Sequence, residues 1–310
     1  MTVKLYREPQ LKDSVMFCGW PGIGNIGLVA VNTLRGILRA EELGEIEPFE
    51  FFEPQKVIIK DGLLQELQFP VSKFYFQKVN NRDLMFFIGE QQPNDGVSQY
   101  AVGPKAYKMA NLVLDTAQKF GCRRLYTSGA AVTHIHHTVK PRVWAVPNGP
   151  QMIGEIKNYT NTVLMSEVEE RGGQGLITGL NGLLLGVAKE RGIEAVCLMG
   201  EIPYYLQGTP WPYPKASRSV LEVFAGILET QFDLRRLDGL AQRIDRNIEE
   251  FLEALSNAEG LPEQVRMEIE KLKHGKQTML GPITDEEKKK ILEHIDELFR
   301  GEDRDERKHV

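Results

Sequence analysis

Twice along this 310-residue chain a stretch of helical periodicity stops at a glycine, and a continuous apolar run begins three residues later. The first stretch opens at Gly103-Pro104, where proline's missing N–H costs nothing in the first helical turn. Its stripe is Ala106, Ala110, Val113, Leu114 and Ala117; Gly121 closes it, and Arg124–Thr127 follows. The second carries Leu180, Leu183, Leu184, Val187 and Ala188, stops at Gly192, and leads into Ala195–Met199. A strand that is apolar at successive positions has no face to give to water, so it must be covered on both sides. Short apolar runs closed by turn residues recur at Val15–Cys18, Val57–Ile59, Leu84–Ile88 and Arg142–Val146. Another helix is expected over Lys215–Phe232. Between Phe49 and Val79 the runs Lys56–Lys60 and Lys73–Lys78 alternate and have no helix between them, which predicts antiparallel strands or a hairpin. The expected fold is α/β, a three-layer α/β/α sandwich with a mixed, mainly parallel sheet, over residues 1–232.

Beyond Asp233 the pattern changes. Leu237, Leu240, Ile244, Ile248, Phe251 and Leu255 recur at three- and four-residue steps among charged residues. Val265, Ile269 and Leu272 predict a second helix, and Thr284 with Glu287 has capping-box spacing ahead of a third, striped by Ile291, Ile295 and Leu298. Residues 233–310 therefore read as an amphipathic helical extension with a charged, frayed end. Such helices must pack on the main domain, on each other or on a partner.

Composition narrows the function classes. A net charge of −5 argues against nucleic acid as a partner, because phosphate binding relies on clustered Lys and Arg. No apolar run approaches the ~20 residues needed to cross a bilayer, and Met1–Asp13 is polar, unlike a signal peptide. Cys18, Cys122 and Cys197 are far apart, each in or beside an apolar run, as reduced core cysteines are. A cytoplasmic location is expected.

Gly22-Ile23-Gly24-Asn25-Ile26-Gly27 matches G-x-G-x-x-G, after a strand and before a helix. Glycines let a backbone approach an anion, and a helix N-terminus supplies free N–H groups. Glu45, Glu47 and Glu50 lie near the offset of a ribose-binding acid. Yet Pro48 and Pro54 interrupt the stretch where a second strand would present one, and Pro21 stiffens the turn, so a dinucleotide fold is not expected. Two readings stay open: a tight turn that needs glycine for packing, and a pocket for a small anion or nucleotide-like molecule. Gly22, Gly24, Asn25 and Gly27 would form such a pocket. Glu90, Ser128 and Glu201, each just past a strand end, would complete it, because ligands of open α/β sheets bind at that edge.

Other chemistry is thinner. His134, His136 and His137 form a metal-like cluster, but no Cys or carboxylate stands nearby in sequence to finish a zinc site, so no metal and no cofactor are expected. Tyr126 stands where a nucleophile elbow around Ser128 needs glycine, and neither a Walker lysine loop nor H-E-x-x-H occurs. No catalytic residue is assigned. Tyr204, Tyr205, Trp211 and Tyr213 share a loop with four prolines, which suits either a protein–protein contact or a roof over the domain's own core.

Gly19-Trp20-Pro21 leading into the glycine turn, Thr127-Ser128-Gly129-Ala130, and Gly200-Glu201-Ile202-Pro203-Tyr204-Tyr205 with Pro212-Tyr213-Pro214-Lys215-Ala216 together resemble the PAC2 family, named for proteasome assembly chaperone 2. The resemblance spans roughly Lys4 to Phe232. It implies a sheet like that of purine nucleoside phosphorylases and related hydrolases, and homo-oligomers; eukaryotic and archaeal relatives look like chaperones of proteasome α-subunits. Relatives that dock on a proteasome can end in a hydrophobic–Tyr–any tail, whereas this sequence ends Lys308-His309-Val310, so docking by an inserted C-terminus is not expected. The resulting expectation is a non-catalytic, chaperone-like binding or assembly protein that associates with itself and with a subunit of another protein complex, and with neither nucleic acid nor membrane. The alternative is an enzyme or sensor for a nucleotide-like or anionic small molecule in the glycine-loop cleft. A third reading has the C-terminal helices recruit the partner.

Overall fold

The runs without polar alternation become inner strands of one sheet, except Val57–Ile59, expected as a buried strand, which lies in a separate hairpin with Val57 and Ile59 exposed. The computed structural model describes residues 3–79, 82–96, 98, 100–167 and 174–257, with 267, 270–273, 282, 283 and 287 beyond them. Its strands are β1 (Val3–Leu5), β2 (Val15–Gly19), β3 (Glu41–Ile46), β4 (Lys56–Lys60), β5 (Leu63–Gln68), β6 (Ser72–Gln77), β7 (Leu84–Gly89), β8 (Arg124–Thr133), β9 (Val143–Pro147), β10 (Thr162–Leu164) and β11 (Glu194–Pro203). Its helices are α1 (Ile26–Ile37), α2 (Gly103–Lys119), α3 (Ile153–Ile156), α4 (Gly179–Glu190), α5 (Pro214–Ile227) and α6 (Arg235–Asn257).

Nine strands form one sheet in the order β1-β3-β6-β7-β2-β8-β11-β9-β10, and β4 pairs with β5 apart from it. The central strands β7, β2, β8 and β11 run parallel. Antiparallel pairs flank them on both sides. Apolar side chains of α2 and α4, such as Ala110 and Leu184, fill one face. Those of α1, α5 and α6, such as Leu34, Phe224 and Ile248, fill the other. This is the expected α/β/α sandwich around a mixed sheet. Phe17 of β2 anchors the second face, its ring centroid 4.6 Å from Phe224 and 5.3 Å from Tyr126. The α6 stripe is part of that face: Leu237, Ala241, Ile244 and Ile248 are buried. Of the helix expected around 265–272, Met267, Glu270, Lys271 and Leu272 are described and helical. Ile291, Ile295 and Leu298, the stripe of the third expected helix, lie outside the described residues.

Strands β1, β3 and β10 were not anticipated. The reason is clear for β3, Glu-Glu-Leu-Gly-Glu-Ile, whose polar residues hide the pattern and whose ladder shifts register between Glu42 and Gly44. Its position also removes the dinucleotide reading. In that fold the second strand lies parallel beside the first. Here β3 is antiparallel to β6 and separated from β2 by both β6 and β7.

The glycine turn is shaped by how near α1 comes to the sheet. A Cβ built on Gly27 would lie 2.1 Å from the carbonyl oxygen of Ser128, so the first turn of α1 rests directly on the β8 backbone. Gly24 is left-handed (φ +58°), and a Cβ there would meet Tyr213 at 3.0 Å. Gly22 is extended, with open space where its Cβ would be. Substitution by alanine should therefore grade in cost. Urea unfolding is expected to place Gly22→Ala near wild type and Gly24→Ala about 1–3 kcal/mol lower. Gly27→Ala should lose more than about 3 kcal/mol or fail to fold. Equal cost at all three would contradict the packing account.

Candidate functional site

Pairing between β2 and β8 ends at Cys18–Thr127, whereas β8 runs on beside β11 to Thr133. The released edge of β8 is left between diverging connections, since β2 leads into α1 on one face and β7 into α2 on the other. Such a divergence is where open α/β sheets hold ligands. A cavity of about 320 Å³ opens there. Trp20, Gly22, Ile23 and Gly27 of the glycine turn form one side, and Ser128 to Val132 of β8 the floor. Ile177, Thr178 and Asn181 approach from the start of α4. Pro282 and Ile283 close a corner; the Ile283 N–H donates to the Val132 carbonyl at 2.7 Å.

Gln92, which the sequence reading passed over, ties these walls together. Its Nε2 donates to the Pro21 carbonyl at 2.8 Å. Its Oε1 accepts from the N–H of Leu180 at 3.1 Å and of Ala101 at 3.3 Å. One buried amide thus fixes the Trp-Pro-Gly turn against the first residues of α4. Two of the lining residues each hold one side-chain oxygen that is closed off from solvent and has no hydrogen-bond partner on the protein, Ser128 Oγ and Asn181 Oδ1. No charged side chain and no histidine is among the described residues that line it.

Of the residues expected to form a cleft, Gly22, Gly27 and Ser128 line this cavity. The other four do not. Gly24 packs behind the turn against Ile202 and Tyr213, and Asn25 Oδ1 accepts the Gly22 N–H at 3.4 Å. Glu90 is exposed, its carboxylate accepting from the Val71 N–H at 3.0 Å. Glu201 faces away into the interior and is fully buried. There its carboxylate accepts from the Arg142 N–H at 2.8 Å, Arg142 Nη2 at 2.8 Å and Trp144 Nε1 at 3.0 Å. A carboxylate so occupied joins β9 to β11 and has no reach to a substrate in the cavity.

Comparison with known proteins decides the lineage: the PAC2 family profile matches residues 16–252. The chain belongs to the PAC2 family. Pyrococcus furiosus PbaB, an archaeal proteasome activator, has a crystal structure that superposes with a TM-score of 0.66 at 27% identity, covering 81% of this chain and 98% of PbaB. PbaA of the same organism, a homolog of proteasome-assembly chaperone, shares the fold at 19% identity and TM-score 0.57, covering 83% of this chain and 99% of PbaA. An uncharacterised protein of Methanocaldococcus jannaschii is 25% identical over 245 residues, 79% of this chain and 84% of that protein.

In this PAC2 chain the aromatic loop that could have served as an exposed contact is turned inward. Tyr213 is 2% exposed, and Tyr204, Tyr205 and Trp211 are half-buried. Trp211 packs edge-on against Phe251 of α6, with centroids 5.4 Å apart. Tyr205 OH meets both the backbone N–H and Nδ1 of His137 at 2.9 Å. His136 and His137 are buried with their rings 4.1 Å apart, and no metal-binding group of His, Cys, Asp and Glu is found among the described residues. Burial, reinforced by the charges of His136 and Lys215, pushes the His137 imidazole down from 6.5 to about 4. Above pH 6.5 it is neutral whether the chain is folded or not. Below 6.5 the unfolded chain takes up a proton that the folded one refuses, so stability falls progressively between pH 6.5 and 4. The loss from this residue is at most about 3 kcal/mol. Denaturant midpoints across that range should fall, and His137→Asn, which cannot titrate, should flatten the profile.

Proposed function

We propose that this protein is a non-catalytic binding protein of the proteasome, acting as an assembly chaperone or activator in the form of a homo-oligomer. The observation that carries the reading is the similarity to the proteasome activator PbaB over 98% of that chain. A cavity without an acid–base pair among its described lining residues agrees with a role in binding. So does the engagement of Glu201 by Arg142 and Trp144.

Self-association has a physical motive in the β4–β5 hairpin. Asp61 and Gly62 both have positive φ, the geometry of a tight hairpin turn. Val57 pairs with Leu67 and Ile59 with Leu64, and the register shift between Ile58 and Ile59 brings all four to one face. Ile59 is 69% exposed and Leu64 67%. A two-stranded hairpin is marginal in water, and contiguous exposed aliphatic groups mark association surfaces. A second copy of the chain would cover this face.

Two measurements test the reading. Mixed with a purified archaeal proteasome core particle, the protein should co-sediment with it and change hydrolysis of a fluorogenic peptide several-fold; failure of both removes the proteasome as partner. Light scattering should give a multiple of 35.1 kDa for the wild type. Ile59→Asp with Leu64→Asp should reduce it to the monomer mass while helix content stays unchanged. A monomeric wild type, or an unaltered double variant, would remove the hairpin interface.

A further inference from the structure

We infer that the released edge of β8 is a docking site for an extended, uncharged apolar peptide of a partner protein, which adds a strand there and seats its alternate side chains in the cavity. The inference concerns a different surface from the hairpin and does not rest on the proteasome reading.

The edge holds backbone hydrogen bonds that the sheet does not use. In a strand the N–H and C=O of one residue point to the same side, and those of the next residue to the other. On β11 the Glu201 N–H turns to the Arg142 carbonyl, so its neighbours Gly200 and Ile202 serve β8 through Gly129, Ala131 and Thr133. Ser128, Ala130 and Val132 therefore face away from β11, towards the side that β2 leaves after Thr127. The Ser128 carbonyl lies against Gly27, and the Val132 carbonyl accepts from Ile283. Between them the N–H and carbonyl of Ala130 meet no partner among the described residues, although Ala130 is only half-buried and lines the cavity. An open strand edge of this kind is a template for another chain.

The cavity suits a strand because its apolar walls lie on both faces of the sheet. Trp20, Met165, Ile177 and Met199 belong to the cluster packed with α2 and α4. Ile23, Ile26 and Val132 belong to the one packed with α1, α5 and α6. A strand laid along the edge sends successive side chains to opposite faces, so it meets both walls. No charged side chain is among the described lining residues, which limits the inserted side chains to uncharged ones. The volume, about 320 Å³, takes a few side chains and no folded domain. Leu176, 86% exposed, extends the apolar surface where the cavity opens. The chain itself supplies a template for the occupant: Pro282 and Ile283 are seated in one corner, with the Ile283 N–H on the Val132 carbonyl. They take that rung and leave the one at Ala130 open, so a partner strand that takes both competes with Ile283.

Peptides that separate backbone pairing from side-chain contact give the test. The probe is Ser-Val-Ile-Val-Thr, amidated and carrying a fluorophore on a Gly-Gly linker, titrated with the full-length protein and read by fluorescence anisotropy. It should bind with a dissociation constant below about 1 mM. A twin N-methylated at both valines and the isoleucine keeps every side chain but loses those backbone donors, and should bind at least about tenfold more weakly. A twin with aspartate at the same three positions should not bind. Ile283→Asp in the full-length chain places a charge against uncharged walls and expels the internal competitor, so it should tighten the first peptide at least about threefold. The inference is overturned if the first peptide binds neither wild type nor Ile283→Asp, if either twin binds as well as the first peptide, or if Ile283→Asp does not tighten it. A lower mass for Ile283→Asp in light scattering would assign the edge to a second copy of the chain, and would overturn it too. The comparison of the three peptides on the wild type stands whether or not the variant folds.

Discussion

The rest of this molecule depends on how closely the first turn of α1 can lie on β8. At Gly27 the helix backbone and the Ser128 carbonyl are separated by less than a methyl group's width. That contact sets the height of α1 above the sheet. It thereby sets where α5 and α6 can pack, since their side chains share one apolar cluster with those of α1. It also settles which of two jobs the glycine pattern performs. The same spacing that cradles a pyrophosphate elsewhere here brings a helix onto a strand, and only Gly22 and Gly27 of the four assigned residues of the turn meet the neighbouring cavity.

The middle of the sheet was legible in the sequence because burial on both faces leaves an unmistakable trace. Val15–Cys18, Leu84–Ile88 and Ala195–Met199 became β2, β7 and β11, shifted by a residue at some ends and extended in β11. The edges were not legible. The three acids of β3 break up any apolar run, and β1 and β10 have only three residues each. An edge strand is stabilised by its ladder rather than by its own apolar content, so its pattern is weak.

The site was half legible for a related reason. Position after a strand end found Ser128, which does line the cavity, but it equally selected Glu90 and Glu201, which do not. Which way a residue faces past a strand end depends on how far the neighbouring strands continue, and that is a property of the whole sheet. β8 and β11 outrun β2, so the ladder carries Glu201 inside, next to Arg142 and Trp144. Gln92 and Asn181 left no signal at all. Their importance lies in what their amides meet across distances of 71 to 88 residues and across the β8–α4 contact. The aromatic loop shows the converse: its rings pack against the domain, and a contiguous set of exposed aliphatic groups lies instead on a hairpin that carries no aromatic residue.

The cavity draws its walls from Trp20 at one end of the chain and from Ile283 near the other. A chain emerging from the ribosome can lay down β2, α1 and β7 early, but the Val132 carbonyl waits for Ile283 until 283 residues have been made. The site is thus a late product of synthesis, completed after the sheet on which it stands. A translation product halted after β11 but short of Ile283 would carry the whole sheet and an unfinished pocket. Any occupant of that pocket would then distinguish finished chains from interrupted ones.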